Sequence, residues 1–471
     1  MAYLFQDRAA IDVRPTRPAR LTEAFLLILV CFSAGLGFVL LSIGSQTAQG
    51  LSPWTGLPLA LIPPLLIGVS AFSVHGILRW RRVQAEQLIL PIVFLLLTIG
   101  LLMIWRLRGP GGVWQQVFRG LVPGLAAMYF LILRPGLVER IRRWAVPIAV
   151  FGLLLPIATA FFGEVDETGA RLALKLGPLP PVQPSELIKL SLVIFLAWYI
   201  DREGRKAEGR AHPFLGWLRL PSLHYFIPGI LFVALAALAL VQMSDFGAVP
   251  ILALIFIGML FAGFETRIFL AVGLIGLVLS LLVGITLAFT WEIPTVIQMR
   301  YQAFLDPWSQ EMVMLNGQPS GVTISEGPGY QIQQAIYAII AGGLSGTGLG
   351  FGSPQYVPLA HSDFIFASIV EELGAVIGLA VLFLFSILLL RIARVAMLLP
   401  SSQPFERLLM IGICIHFFVQ VVIMVSGTLN LLPMTGVTIP FLSLGGMALF
   451  VNLAEIGLVL SVVQRLERQI P

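Results

Sequence analysis

Long apolar runs, repeated about twelve times, constrain this chain more than any other feature. A helix needs about 20 mostly apolar residues to cross the hydrocarbon of a bilayer, and the runs are of that order. They lie near 22–43, 57–79, 88–105, 115–133 and 144–163, then near 186–201, 224–241, 246–263 and 268–290, and finally near 364–390, 406–427 and 444–463. Only 11% of residues are charged and 58% are hydrophobic, whereas ordinary soluble domains carry about 25% charge. The expected fold class is all-α, a polytopic membrane helical bundle. No soluble core needs to be sought.

Loop charge tests that count independently. The N-terminal tail, Arg79 to Arg82, Arg134 to Arg143, Asp201 to Arg219, Glu265 to Arg267, Arg391 to Arg394 and Arg465 to Arg468 all fall on one side of such a bundle. The positive-inside rule makes that side the cytoplasm, with both termini there, and leaves only Arg106 and Arg108 near the opposite face. The net charge of +5 thus reflects leaflet anchoring, and no nucleic-acid partner is expected. Cys31 and Cys414 both sit within apolar runs, which speaks against a disulfide framework or a thiolate metal site. The first apolar run is long enough to span and follows a polar tail with Arg8, Arg14, Arg17 and Arg20, so no cleavable signal peptide is expected.

Most loops on the outer side are short, but one runs from about Trp291 to Ala360. Its middle, Glu311 to Gly329, is rich in Gly, Ser, Pro and Asn and is expected to be a flexible insertion. Farther on, Gln331 to Ile340 has helical spacing and precedes the Gly-rich stretch Gly342 to Gly350. This predicts an amphipathic re-entrant or interfacial helix followed by a turn.

Ionisable residues at such positions cost several kcal/mol unless they are paired or hydrated, about 2.5–3.5 at a helix centre. In Pro184-Ser185-Glu186-Leu187-Ile188-Lys189, Glu186 and Lys189 are i,i+3 neighbours. One reading is an ion pair at the helix start with Lys189 snorkelling outward. The other adds Arg171 and Lys175 from the same outer loop to make a cationic mouth for a phosphate-bearing lipid. In Gln242-Met243-Ser244-Asp245-Phe246-Gly247, Asp245 suits a tight turn. His361, Asp363, Glu371 and Glu372 form a third group. Asp363 is explicable as a cap, whereas Glu371 and Glu372 lie about two turns deeper and point to an internal polar pathway. The Pro and Gly spacing of Leu432 to Gly446 implies a stiff loop.

Taken in order, these blocks resemble the SEDS family, of which FtsW, RodA and SpoVE are members. The matching stretches are GARLALKLGPLPPVQPSELIKL, QMSDFGA, RYQAFLDPW followed by GPGYQIQQAIYAIIAGGLSGTGLG, YVPLAHSDFIFASIVEELG, and NLLPMTGVTIPFLSLGG. The resemblance covers about Gly169 to the C-terminus. It implies a SEDS-like core at 164–471 with a large outer loop at 291–363. Ahead of it lie a basic cytoplasmic tail at 1–21 and N-terminal transmembrane helices at 22–163, two more than the family usually has.

The resemblance further implies a peptidoglycan glycosyltransferase in the bacterial plasma membrane, serving elongation or division. Its substrates would be lipid II and a growing glycan strand, its partner a class B penicillin-binding protein, and its surroundings membrane lipids. Such chemistry needs cations for a diphosphate and a carboxylate to take a proton. Arg171, Lys175, Lys189 and Arg300 supply cations, and Glu186, Asp245, His361 and Asp363 complete the substrate-binding set. No cofactor and no metal ligand set is assigned; a divalent cation (Mg or Mn) is compatible with a diphosphate donor. The chain departs from the family pattern in three places. No Asp follows Asp306-Pro307-Trp308 at the usual catalytic position, which leaves Glu326, Glu311 and Asp306, ranked in that order, as candidate bases. Leu172 and Ala173 replace the usual Arg and Trp, and Leu359 replaces the usual Glu. Two other readings stay open: a catalytically weakened SEDS-like scaffold for a penicillin-binding protein, and a lipid-linked precursor transporter.

Overall fold

A computed structural model describes residues 20–468, except 49, 51, 53–55, 84, 165–170, 176, 178–180, 210, 211, 215–217, 221–224 and 264–294. The expected span at 268–290 and nearly all of the basic tail therefore lie outside the described residues. So does Gly169, where the first matching block begins.

The described chain is helical almost throughout. The first half comprises α1 (Leu21–Ala48), the short α2 (Leu57–Ala60), α3 (Ile62–Trp80), α4 (Ile89–Gln116), α5 (Val122–Leu133), α6 (Leu137–Arg143), α7 (Ala145–Phe162) and α8 (Pro184–Gly209). After a small antiparallel pair, β1 (His212–Phe214) and β2 (Leu218–Leu220), come α9 (Ile227–Gln242) and α10 (Ala248–Gly263). The outer loop contributes α11 (Thr295–Leu305), β3 (Met312–Leu315), β4 (Gln318–Thr323) and α12 (Tyr330–Gly342). The last three helices are α13 (Ile365–Leu398), α14 (Pro404–Thr428) and α15 (Gly446–Glu467). Among the described residues, seven helical stretches are long and apolar enough to cross a membrane, and α9 and α10 are shorter apolar helices.

Two expected spans, 88–105 and 115–133, are joined in one helical stretch, Ile89–Leu133, 45 residues long. A straight helix of that length would measure about 67 Å at 1.5 Å per residue, far more than a bilayer core. The stretch is kinked at Gly109 (φ 64°, ψ −164°) just before Pro110, and a π-turn at Val117–Leu121 leads into α5. Gly supplies the positive φ at no steric penalty, and Pro cannot donate to the preceding turn.

Packing follows small residues. α15 lies along α5 and its π-turn, where a Cβ on Gly457 would stand 2.8 Å from the Met128 backbone and one on Gly120 2.8 Å from the Gly446 carbonyl. Close backbone approach is the usual way helices associate in lipid, which offers no hydrophobic drive between them. Around this pair, α14 packs on α8, α10 and α13, and α1 packs on α3 and α4.

The basic loops gather at one end of the bundle. Arg20 donates to the Glu23 carboxylate at 2.9 Å and to the Val83 and Glu86 carbonyls at 2.7 and 3.0 Å, and His75 Nδ1 lies 2.6 Å from Glu23. Arg142 pairs with Asp201 at 2.7 Å and Arg465 with Glu406 at 3.3 Å. Charged residues far apart in sequence thus satisfy one another at that end of the bundle.

The middle of the outer loop differs from expectation. Glu311 to Gly329 is an ordered β-hairpin region, not a flexible insertion. Asn316 (φ 50°) and Gly317 (φ 77°) form its two-residue turn, the left-handed pair that matches strand twist. Gln302 and Gln298 of α11 strap it down: Gln302 accepts from Met314 N–H at 2.9 Å and Gln298 from Asn316 N–H at 2.9 Å. The expected amphipathic helix is α12.

Candidate functional site

Pro184 starts α8 and places Ser185, Glu186 and Lys189 in its first turns at the outer end. Lys189 Nζ pairs with Glu186 at 2.8 Å, and the two residues are 1% and 5% exposed. Lys189 therefore points into the protein and does not snorkel. Asp245, on the α9–α10 turn, comes to the same place. Its carboxyl is raised above the usual range by burial, then held back by hydrogen bonds from Ser185 and the Ala248 N–H and by the charge of Lys189; Glu186 adds repulsion. Asp245, from the α9–α10 turn, thus converges on the Glu186–Lys189 pair of α8.

Arg300 on α11 continues the cluster, donating to the Thr435 carbonyl at 3.1 Å. Burial lowers its guanidinium from the usual value, opposed by Asp363 and Asp245. Asp363, just before α13, is pushed up to about 6 by burial, against a hydrogen bond from Ser362 and attraction by Arg300, with Asp245 raising it further. Arg300 and Asp363 are the charged residues lining a cavity of about 730 Å³ between α11, the β3–β4 hairpin and the start of α12, with Ser244, Ser320, Leu172 and Leu359 also on its wall. Leu172 and Leu359, two of the departures from the family pattern, thus face the same space. A neighbouring groove of about 470 Å³ shares Leu172 and is lined by Arg119, Gln115 and Gln183 together with Pro123, Met447 and Phe450.

The remaining expected residues are placed elsewhere. The Arg171 N–H binds the Met243 carbonyl at 3.1 Å, beside the cluster, but its guanidinium caps α7 by donating to the Ala160 and Phe161 carbonyls at 2.7 and 3.1 Å. Lys175 pairs with Glu164 at 3.3 Å on the exposed surface. His361 is bound through its carbonyl to Leu444 N–H at 2.8 Å, and its ring is pushed down to about 4 by burial and then by Arg108. Asp306 accepts from Trp308 N–H at 3.0 Å and so organises its own turn. Glu311 and Glu326 are exposed, and Glu326 accepts from the Thr323 hydroxyl at 3.2 Å. None of these three carboxylates is among the residues lining the cavity. Among the described residues no group of three or more His, Cys, Asp and Glu could hold a metal ion.

Glu371 and Glu372 serve the Gly-rich loop and not an inward path. Glu371 accepts from Ser353 N–H at 2.7 Å, and Glu372 accepts from Gly350 N–H at 3.0 Å and from Arg106 at 2.7 Å. Helix α13 kinks at Gly374, two residues after Glu372. Glu372→Gln should therefore destabilise the protein by about 1.5–3 kcal/mol, the range for hydrogen bonds to charged groups. Thermal unfolding and limited proteolysis between Gly343 and Ser353 read this out, and unchanged cleavage there would show that the clamp is unimportant.

Gln116 escaped sequence reading. It donates to the Ser443 carbonyl at 3.1 Å and accepts from Gly445 N–H at 2.9 Å, while Ser443 Oγ donates to the Ser362 carbonyl at 2.7 Å. These bonds fix the stiff 432–446 loop against the segment bearing Asp363. A Gln at the start of an apolar run, next to Gln115, carries no signal of such a role.

The family model of the FtsW/RodA/SpoVE cell cycle proteins matches residues 86–468, beginning after α3. The chain is 30% identical to the peptidoglycan glycosyltransferase RodA of Mycobacterium tuberculosis over 459 residues, covering 94% of this chain and 91% of that one. It is 31% identical to the stage V sporulation protein E of Bacillus subtilis, covering 81% and 98%. Among solved structures it resembles a chain from a peptidoglycan synthase complex that coordinates polymerization and crosslinking, with TM-score 0.62, 26% identity and coverage of 81% and 98%. The rod shape determining protein RodA of Thermus thermophilus shares the fold, with TM-score 0.52, 24% identity and coverage of 80% and 95%.

Proposed function

The chain belongs to the SEDS family of FtsW, RodA and SpoVE cell cycle proteins, and from that premise we propose that it is a peptidoglycan glycosyltransferase that polymerises lipid II on the outer face of the bacterial plasma membrane. The observation that carries this reading is the 730 Å³ outer cavity with Arg300 and Asp363 on its wall. A cation there can meet a diphosphate, and a carboxylate can meet an acceptor hydroxyl. The adjoining groove, with Arg119 beside apolar Phe450 and Met447, suits a lipid carrying a phosphate headgroup. About twelve spans, with both termini cytoplasmic and the 291–363 loop outside, fit this work. The synthase complex containing the similar solved chain supports a class B penicillin-binding protein as partner. A carboxylate on the cavity wall favours an enzyme over a weakened scaffold.

One observation favours transport of a lipid-linked precursor. His416 and Glu455 pair at 2.8 Å deep between α14 and α15, with Gln420 and Asn452 also buried. The deciding experiment is incubation of the purified protein with lipid II, with and without a class B penicillin-binding protein. Polymer supports the enzyme. Lipid II movement across vesicles without polymer supports transport, and neither activity supports the scaffold.

A further inference from the structure

Resting on the glycosyltransferase reading, we infer that Asp363, and none of the three carboxylates beside the hairpin, is the general base of the transfer. The geometry separates the candidates. Asp306 spends its carboxylate on its own turn, and Glu311 and Glu326 are exposed near the hairpin. Asp363 is the carboxylate on the cavity wall, and Arg300 shares that wall. The two groups come near each other beside Gly436, where a Cβ would stand 3.5 Å from Arg300 Nη2 and 3.6 Å from Asp363 Oδ2.

The surroundings hold Asp363 in place. Ser443 Oγ grips the Ser362 carbonyl, Leu444 N–H grips the His361 carbonyl, and Asp363 N–H donates to the Leu359 carbonyl at 3.1 Å. A base must be positioned before its pKa matters, and these bonds fix the segment from two sides. The charged groups that face it are Arg300 from α11 and Asp245 from the α9–α10 turn, with Lys189 and Glu186 of α8 behind Asp245. Asp245 is farther from the open cavity and already accepts from Ser185 and Ala248.

In the step, the O–H bond of the acceptor sugar breaks and its proton passes to the Asp363 carboxylate. The acceptor oxygen forms a bond to the donor's anomeric carbon as the bond from that carbon to the diphosphate oxygen breaks. The electron pair leaves on the diphosphate, whose added charge Arg300 faces. The proton on Asp363 then passes to solvent. Because burial holds this carboxyl near 6, the base form is present above that pH and lost below it, so turnover should fall on the acid side.

The test measures lipid II turnover against pH for the wild type, Asp363→Asn, Asp363→Glu, Glu326→Gln, Glu311→Gln and Asp306→Asn. Asp363→Asn is expected to lose kcat by about 10²–10⁴-fold while its affinity for lipid II, measured by direct binding, stays within a few-fold. That retained binding also shows that the variant is folded. Asp363→Glu should recover part of the turnover with a displaced acid limb, and the other three variants should match the wild type. A merely positioning Asp363 would instead raise KM and leave the acid limb unmoved, which overturns the assignment. So would full turnover by Asp363→Asn, or a selective loss in a hairpin-side variant. A wild type that binds lipid II but makes no polymer at any pH overturns the glycosyltransferase reading itself and this assignment with it.

Discussion

Arg300→Met is expected to lower lipid II turnover by about 10²–10³-fold, equivalent to roughly 2.7–4 kcal/mol of transition-state stabilisation. The magnitude follows from where the guanidinium stands. It is held by the Thr435 carbonyl, lies on the cavity wall, and faces both Asp363 and Asp245. A preorganised cation in a water-poor site stabilises charge developing on a diphosphate far better than the same group in solvent. Removing it also leaves two buried carboxyls without their common counter-charge, which favours their protonated forms and blunts a carboxylate base. Arg300→Lys should retain more activity than Arg300→Met but less than the wild type, because an ammonium keeps the charge and loses the planar fork. Steady-state turnover with purified lipid II decides it. Turnover of Arg300→Met within threefold of the wild type would remove Arg300 from the mechanism.

Lys189→Met should be the most destabilising single change at the site, because it strips the cation from a buried pair. Breaking such a pair by removing one partner costs about 3–5 kcal/mol, and here Glu186 and Asp245 both lose a counter-charge. The expected readout is a lower apparent melting temperature and less monodisperse protein. Glu186→Gln in the same chain should restore much of the loss, since it removes the charge left behind. The pH dependence has a defined sign. Asp245 already titrates above its unfolded value, so the native state holds its proton longer, and stability falls as pH rises from the unfolded value through the raised one. Without Lys189 that penalty grows, so the deficit of Lys189→Met should shrink as pH is lowered. A deficit that is constant with pH, or unrelieved by Glu186→Gln, would trace the loss to packing.

Much of the architecture is legible because the bilayer leaves few options. Runs such as 406–427 and 144–163 become α14 and α7 because backbone groups in hydrocarbon must bond within their own helix. Basic residues far apart in sequence, Arg20, Arg142 and Arg465, meet their partners at one end of the bundle. At the site, the i,i+3 spacing of Glu186 and Lys189 correctly implies a pair, but it cannot tell a buried pair from a snorkelling one. The hairpin is harder to see. Asn316-Gly317 is a strong turn signal, yet β4, Gln318 to Thr323, has little apolar alternation, and its order comes from Gln298 and Gln302 of α11. Depth misleads for Glu371 and Glu372, because the kink at Gly374 and the descent of the Gly-rich loop bring backbone N–H groups to meet them. Lys175 is diverted by Glu164, a neighbour made close only by the folding of the outer loop.

The cavity beneath the hairpin is where the glycan bond is proposed to form, and blocking it in an otherwise intact protein tests that most directly. Ser320 lines the cavity, whereas Gln318, two residues earlier on the same strand, is not among its lining residues. Lipid II turnover should be measured for Ser320→Cys and Gln318→Cys before and after complete reaction with a bulky, membrane-impermeant thiol reagent. The expected result is that both proteins polymerise before labelling, that Ser320→Cys stops after it, and that Gln318→Cys continues. Unchanged polymerisation by fully labelled Ser320→Cys would contradict the placement of the reaction in this cavity.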